Sequence, residues 1–349
     1  MPRSAVQSPA TWVGPEMASN SGLWTWNLDA TEVRAFQGAA ERFLAGDRDL
    51  ATLRCEDFQL PAELAARLRD LRGTLIRGHG FSLVRGIPVD DLGKAEAATM
   101  FFGLGAHLGF ARSQNAKGHV LGHVTDLGAD PTDPNTRIYQ THARQSFHTD
   151  SADVVGLLCL KDAREGGDSL LVSAETIWNS MLSQRPDLAE LLCDPVSTDR
   201  RGEVPENGQP FFDMPVFNWR GPQLSVIYQR QYIDSAQRFP GARRLSDKHV
   251  EALNYFDTLA NDSSLNLKMR LQPGDMQFVY NHALLHDRTG FTDHSDPEKR
   301  RHLLRLWLAI PGDRELPPAF AERYGSIEIG NRGGVEVPKM QLNTPLEPV

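Results

Sequence analysis

The stretch FHTDSADVVGLLCL at residues 147–160 constrains this chain more than any other. Side chains alternate faces along an extended backbone, so His148 and Asp150 point the same way. A strand over 154–163, apolar nearly throughout, is expected directly after them. An imidazole beside a carboxylate is half of a divalent-metal site, and it is equally a hydrogen-bonded polar pair at a strand end. The rest of the chain has to decide between the two.

Composition narrows the classes that could use such a pair. The 349 residues fit one large domain or two small ones. With 29 glycines, 22 prolines and several Val/Leu/Ile-rich runs, many short strands are expected rather than a helical bundle. The net charge is −8, and the one basic cluster, KRRHLLR at 299–305, is interrupted by leucines, so nucleic acid is not an expected partner. Cys55, Cys159 and Cys193 have no C-x-x-C spacing and read as reduced thiols. The opening MPRSAVQSPATWVGPEM lacks the apolar segment of a signal peptide, and no run approaches about eighteen apolar residues. A soluble, cytoplasmic chain without a membrane partner is expected.

The pass along the chain gives an organisation. Residues 1–28 read as an irregular surface arm. Asp29 and Glu32 stand in capping-box spacing ahead of a helix that ends at Gly46. Leu64, Leu68 and Leu71 form one stripe of a second helix, and KAEAATMFFGLGAHLG reads as a third. Between these two, Phe81, Leu83 and Arg85 alternate as in a short strand. Residues 111–147, with GADPTDPNTR, form a polar loop too long for a simple turn, and long loops in compact domains tend to be functional. Residues 178–263 mix helices with a hairpin turning at Arg220–Gly221. No internal repeat and no linker is visible. The expected architecture is one structural domain: an arm and helices at 1–77 packed on a β-core at 78–349, with a helical and hairpin insert at about 178–263.

A third ligand is available in NHALLHDRTGF, where His282 and His286 lie near a strand end. Two histidines and one carboxylate on one face of a metal are the set used by non-haem Fe(II) oxygenases, which leave positions open for a co-substrate and dioxygen. Either histidine alone is as readily a polar cap. Arg301, Leu303 and Arg305 share a face of a strand that is otherwise apolar. A guanidinium turned into a core is costly unless it meets an anion, and its planar fork suits a carboxylate. An internal salt bridge would also answer. Two such cations soon after a candidate ligand fit an anionic co-substrate better.

HTD, the later HDRTGF, the terminal RRHLLRLW and the intervening GGDSLL together resemble the TauD/TfdA, clavaminate synthase-like family of Fe(II)/2-oxoglutarate oxygenases, from about Gly78 to Gly312. The resemblance implies a mainly β fold with flanking helices, a double-stranded β-helix or jelly roll. It implies that His148, Asp150 and His286 bind iron, His286 being selected over His282 by the family's His-x-Arg pattern. It implies that Arg305 grips the distal carboxylate of 2-oxoglutarate, that Ser169 assists, and that Arg301 lies near the iron-bound end. The implied reaction uses Fe(II), 2-oxoglutarate and O2 to oxidise a C–H bond of a small molecule, by hydroxylation or by desaturation, cyclisation or cleavage following it, with release of succinate and CO2. Asp150 speaks against halogenation, because halogenating relatives lack that carboxylate. Gln114, Asn115, Gln140 and Arg288 are candidate substrate contacts. His119 and His123 have a zinc-pair spacing, but Gly118 and Gly122 argue against the helix it needs. A homo-oligomer is compatible with this reading. Two rival classes remain open: a cupin-type metal enzyme without 2-oxoglutarate, and a non-catalytic binding relative.

Overall fold

The computed structural model describes residues 4–130, 136–205, 208–337 and 339–348. Among the described residues its strands build two main sheets, numbered here in chain order, and four two-stranded ladders. The first has seven strands. Thr25–Asn27 (β1), Phe81–Arg85 (β2), Met276–Tyr280 (β9), Val154–Lys161 (β6), His302–Ala309 (β11) and Phe110–Arg112 (β3) lie side by side in that order. Gly122–Val124 (β4) pairs with the start of β11. The second sheet has four: Leu267–Met269 (β8), Ser169–Ser173 (β7), Leu284–Arg288 (β10) and Gln145–His148 (β5).

The apolar run after Asp150 is β6, in the middle of the first sheet. One of its faces meets helix Lys94–Leu108, where Phe101 approaches Gly156. Val155 and Leu157 on the other face line a cavity that residues of both sheets enclose. Covered on both sides, the strand has no face left for polar residues. The neighbouring β11 alternates likewise. Leu304, Leu306 and Leu308 join the main core, while Leu303, Arg305 and Trp307 turn to the cavity side. Gly105 lets the helix come close, since a Cβ there would lie 2.8 Å from Leu306.

Helices Ala30–Leu44 and Ala62–Arg77 pack on the same core, the first behind the capping box of Asp29 and Glu32. The insert carries helices Ala174–Gln184 and Asp247–Asn261 and the hairpin Phe217–Arg220/Gln223–Val226. Trp178, Phe217, Tyr228 and Phe256 from it close a second core over Phe147, Val172 and Leu285 of the second sheet.

Three expectations change. The segment before Asp29 is no surface arm: Trp12, Trp24 and Trp26 are buried, and β1 adds a parallel edge strand to β2. Burying three indoles removes more apolar surface than an irregular polar arm could leave outside. Arg220 pairs with Gln223, so the hairpin turns at Gly221–Pro222, not Arg220–Gly221. The 111–147 stretch holds β4, the one-turn helix Ile138–Gln140 and most of β5; part of GADPTDPNTR, residues 131–135, lies outside the described residues. Among those described, no helix is long and apolar enough to cross a membrane.

Candidate active site

Register brings the site together. In the antiparallel pair β5/β10, His148 lies opposite His286, and their rings sit 4.1 Å apart between centroids. Asp150, just past the end of β5, completes a group whose ligand atoms lie within 4.8 Å of one another, all three residues buried. His286 Nε2 is 3.7 Å from Asp150 Oδ2. The backbone after β5 is fixed by Asn281, whose Oδ1 accepts from the Asp150 N–H at 3.0 Å and whose amide donates to the Ala152 carbonyl. Thr149 and Tyr228 of the insert exchange two further hydrogen bonds.

The electrostatics suit a divalent cation. Burial, with His148 beside it, pushes the His286 imidazole down to about 3, and burial lowers His148 too; neutral rings are the ligand form. His148 Nδ1 donates to the Ser146 carbonyl at 2.9 Å, which leaves the Nε2 lone pair as the binding atom; the Gln145 amide donates to that lone pair at 2.9 Å. Burial raises the Asp150 carboxyl, but Arg305, the two imidazoles and the Trp307 N–H outweigh it, so it stays below the usual carboxylate value. Trp307 Nε1 donates to Asp150 Oδ2 at 2.8 Å. A facial set of two neutral imidazoles and one carboxylate fits iron.

Two cavities meet at this group. The inner one is lined by Val155, Leu157, Leu271, Leu303, Ser169, Arg288 and Arg301, together with His286. The outer one opens toward the insert, past Gln229, Tyr228 and Met214. His148, Asp150, Tyr139, Gln145 and Arg305 line both.

The two arginines stand at different ends of the inner cavity. Arg305 Nη1 lies 3.7 Å from Asp150 Oδ2 and acts on all three of the grouped residues. Its Nε donates to Gln114 Oε1 at 2.7 Å, and its guanidinium lies over Tyr139 at 4.6 Å. Arg301 sits at the far end of the inner cavity, over Phe291 and against Gly167, with the like charge of Arg288 nearby and the acids Asp293 and Asp162 acting on it from further off than an ion pair. Its Nη1 is buried without a hydrogen-bond partner among the described residues, and burial pushes it down to about 10. Ser169 lies at that same end: it pairs with Arg288 across β7/β10, two residues along from His286. Arg301 is therefore the arginine at the end of the inner cavity away from the triad. The reason is direction: the strand runs from the distal end toward the ligands, so the later arginine is the nearer one.

The remaining candidates separate. Gln114 lines neither cavity; it holds Arg305 in place, its amide donating to the Arg305 and Val120 carbonyls. Asn115 bonds His119, Gln140 offers its carbonyl to the Leu127 N–H, and neither lines a cavity. Arg288 lines the inner cavity and donates to the Thr141 and Ala143 carbonyls. His282 is engaged elsewhere, 2.7 Å from Asp153 in a buried group with Asp313 and Arg332. His123 pairs with His302. Trp307, Tyr139, Gln145 and Asn281 escaped the sequence reading. Only Trp307 had a signal, standing two residues after Arg305 on the same strand face.

Family match, fold and site together define a class, the Fe(II)- and 2-oxoglutarate-dependent oxygenases. The chain belongs to the family described as taurine catabolism dioxygenase TauD, TfdA family, whose profile matches residues 46–307. Among its relatives, FR-33289 synthase of Streptomyces rubellomurinus is 32% identical over 93% of this chain and 96% of its own length. A uridine-5'-phosphate dioxygenase of Amycolatopsis sp is 27% identical over 67% of this chain and 86% of its own. Asparagine oxygenase, solved with Fe(II), a 3-hydroxyasparagine and succinate, superposes with a TM-score of 0.61 at 18% identity, over 82% of this chain and 93% of that one. The non-heme iron oxygenase OrfP, solved with Fe and alpha-ketoglutaric acid, gives 0.60 at 14% identity, over 81% and 93%.

Proposed function

We propose that His148, Asp150 and His286 hold Fe(II), that 2-oxoglutarate fills the inner cavity, and that a small-molecule substrate enters the outer one. The observation that carries this is the position of the triad at the junction of two cavities, with a buried guanidinium whose Nη1 has no hydrogen-bond partner among the described residues at the far end of one. The two sheets, which share the inner cavity and are tied by the Ser169–Gln277 hydrogen bond at 3.0 Å, read as the halves of a jelly roll.

When bound, the iron with 2-oxoglutarate and dioxygen supplies the oxidising power for an unactivated C–H bond, yielding succinate and CO2. The chain supplies orientation. Arg301 offers a charge-assisted clasp for the distal carboxylate, with Ser169 beside it once its hydroxyl turns from Gln277, and Leu157, Leu271 and Leu303 keep water from the carbon chain between. Arg305, fixed by Gln114 and the faces of Tyr139 and Trp307, sets a positive charge beside Asp150 where both cavities meet. Asparagine- and arginine-derived ligands in the solved neighbours support a small-molecule substrate, hydroxylated or further transformed.

The test is an anaerobic titration with Fe(II) and then 2-oxoglutarate, followed by visible absorption. A charge-transfer band that needs both components is expected, and it should be absent from His148→Ala, Asp150→Ala and His286→Ala. A band that survives His286→Ala and disappears in His282→Ala would overturn the ligand assignment.

A further inference from the structure

The outer cavity has a second pole. On the wall contributed by the 111–147 stretch, the insert and the C-terminal segment, Arg137, Arg200 and Arg323 come together from three separate stretches of chain. Arg137 and Arg323 share one carboxylate, Glu203: Arg137 is ion-paired to it, and Arg323 Nη2 stands 4.0 Å from its Oε2. Arg200 lies over the Phe212 ring at 5.2 Å and spends its hydrogen bonds on the Glu322 and Phe211 carbonyls. Among the described residues no carboxylate comes within 4.0 Å of it. The other acid on this wall, Asp199, is taken by Arg238 at 2.5 Å and by Arg201.

The wall thus carries positive charge in excess, inside a chain whose net charge is −8. The side chains of Arg137 and Arg323 are only 15% and 14% exposed, so solvent does little to relieve it. Burial and the neighbouring Arg323, only partly offset by Glu322, push Arg200 down to about 10, and burial with Arg137 lowers Arg323 despite Glu203. A purely structural ion-pair network would match its charges, since removing cations from water without anions is costly. Three guanidiniums from three directions match oxygens spread over a tetrahedron better than the two coplanar oxygens of a carboxylate. The same cavity is also lined by the apolar side chains of Val196, Phe212, Met214 and Ile227.

We infer that the substrate carries a dianionic phosphate or phosphonate head, held by Arg137, Arg200 and Arg323, on a short carbon body that reaches His148 and Asp150. This rests on the outer cavity being the substrate site. The experiment uses the full chain loaded anaerobically with Fe(II) and saturating 2-oxoglutarate, titrated by calorimetry and visible absorption. The probes are propylphosphonate, propyl phosphate, propanesulfonate, butyrate and 1-propanol. The phosphonate and the phosphate should bind at least tenfold tighter than the sulfonate and butyrate, the propanol should show no heat, and the tighter of the first two names the head. Arg200→Gln, which leaves both contacts of Glu203 intact, should weaken that binding at least tenfold and leave 2-oxoglutarate affinity unchanged. Equal binding of sulfonate or butyrate, or an Arg200→Gln protein that binds as wild type does, would overturn the inference. The two readings fail separately. A band without phosphonate binding removes the oxyanion site alone, whereas Arg200-dependent binding without a band removes the iron assignment and leaves the site standing.

Discussion

Arg301 and Arg305 are four residues apart and meet different surroundings. Arg301 faces the distal end of the inner cavity with a partnerless Nη1, and Arg305 faces a carboxylate of the triad. Truncating the first should therefore act on 2-oxoglutarate. A desolvated charge-assisted pair lost on one side costs about 2–5 kcal/mol. Arg301→Ala should weaken 2-oxoglutarate binding by roughly thirtyfold to several thousandfold, with Fe(II) affinity in its absence unchanged. Arg301→Lys should recover only part, because an ammonium lacks the planar two-point grip. Equilibrium titration reads both, and a wild-type constant in Arg301→Ala would return the distal role to Arg305. Trp307 makes the complementary case. Trp307→Phe removes the indole N–H from Asp150 while keeping an aromatic face toward Arg305. Loss of such an outer-shell bond should lower Fe(II) affinity about tenfold to a hundredfold. Unaltered metal binding would show that Arg305 alone holds Asp150.

At the scale of elements, the turn between β9 and β10 is anchored by the buried group around Asp153. Its carboxylate meets His282 and Arg332 at 2.7 Å each and accepts the Ile310 N–H, and Arg332 reaches on to Asp313 at 2.7 Å. Asp153, His282 and Asp313 have the residue types of a metal site, but the Arg332 guanidinium already lies between the carboxylates and pairs with both. The group is a brace joining the turn, the end of β11 and the C-terminal segment. Arg332→Met should cost about 3–5 kcal/mol by leaving buried carboxylates unpaired. The urea midpoint should fall accordingly, while the folded fraction still gives the iron band. A midpoint within error of wild type would make the brace dispensable.

Across the whole molecule, β4, β11 and the C-terminal segment are tied by one histidine pair. His123 Nδ1 and His302 Nε2 are 2.7 Å apart, and His123 Nε2 donates to the Pro345 carbonyl. Burial, and for His302 also the charge of His123, lowers both, His302 to about 4. Each ring binds a proton more readily unfolded than folded, so the stability it supports is complete above the ordinary value of 6.5 and is lost as pH falls toward 4. The melting temperature of the metal-free protein should drop across that window, and less so in His302→Gln. A melting temperature that rises on acidification from pH 7 to 5 would contradict this.

The local chemistry was legible in the chain. Period-two alternation placed His148 beside Asp150 and Arg301 beside Arg305, and the capping box of Asp29 marked its helix, because such signals depend on neighbours a few residues away. Ordered motifs also pointed to His286. What the sequence could not contain was register and direction. Only the pairing of β5 with β10 sets His286 against His148, and only the course of β11 decides which arginine stands near Asp150. The burial of the three tryptophans before Asp29 on β2, and the arginine pole of the outer cavity, likewise join segments far apart in the chain. Their meeting is decided by long-range packing, which no local periodicity encodes.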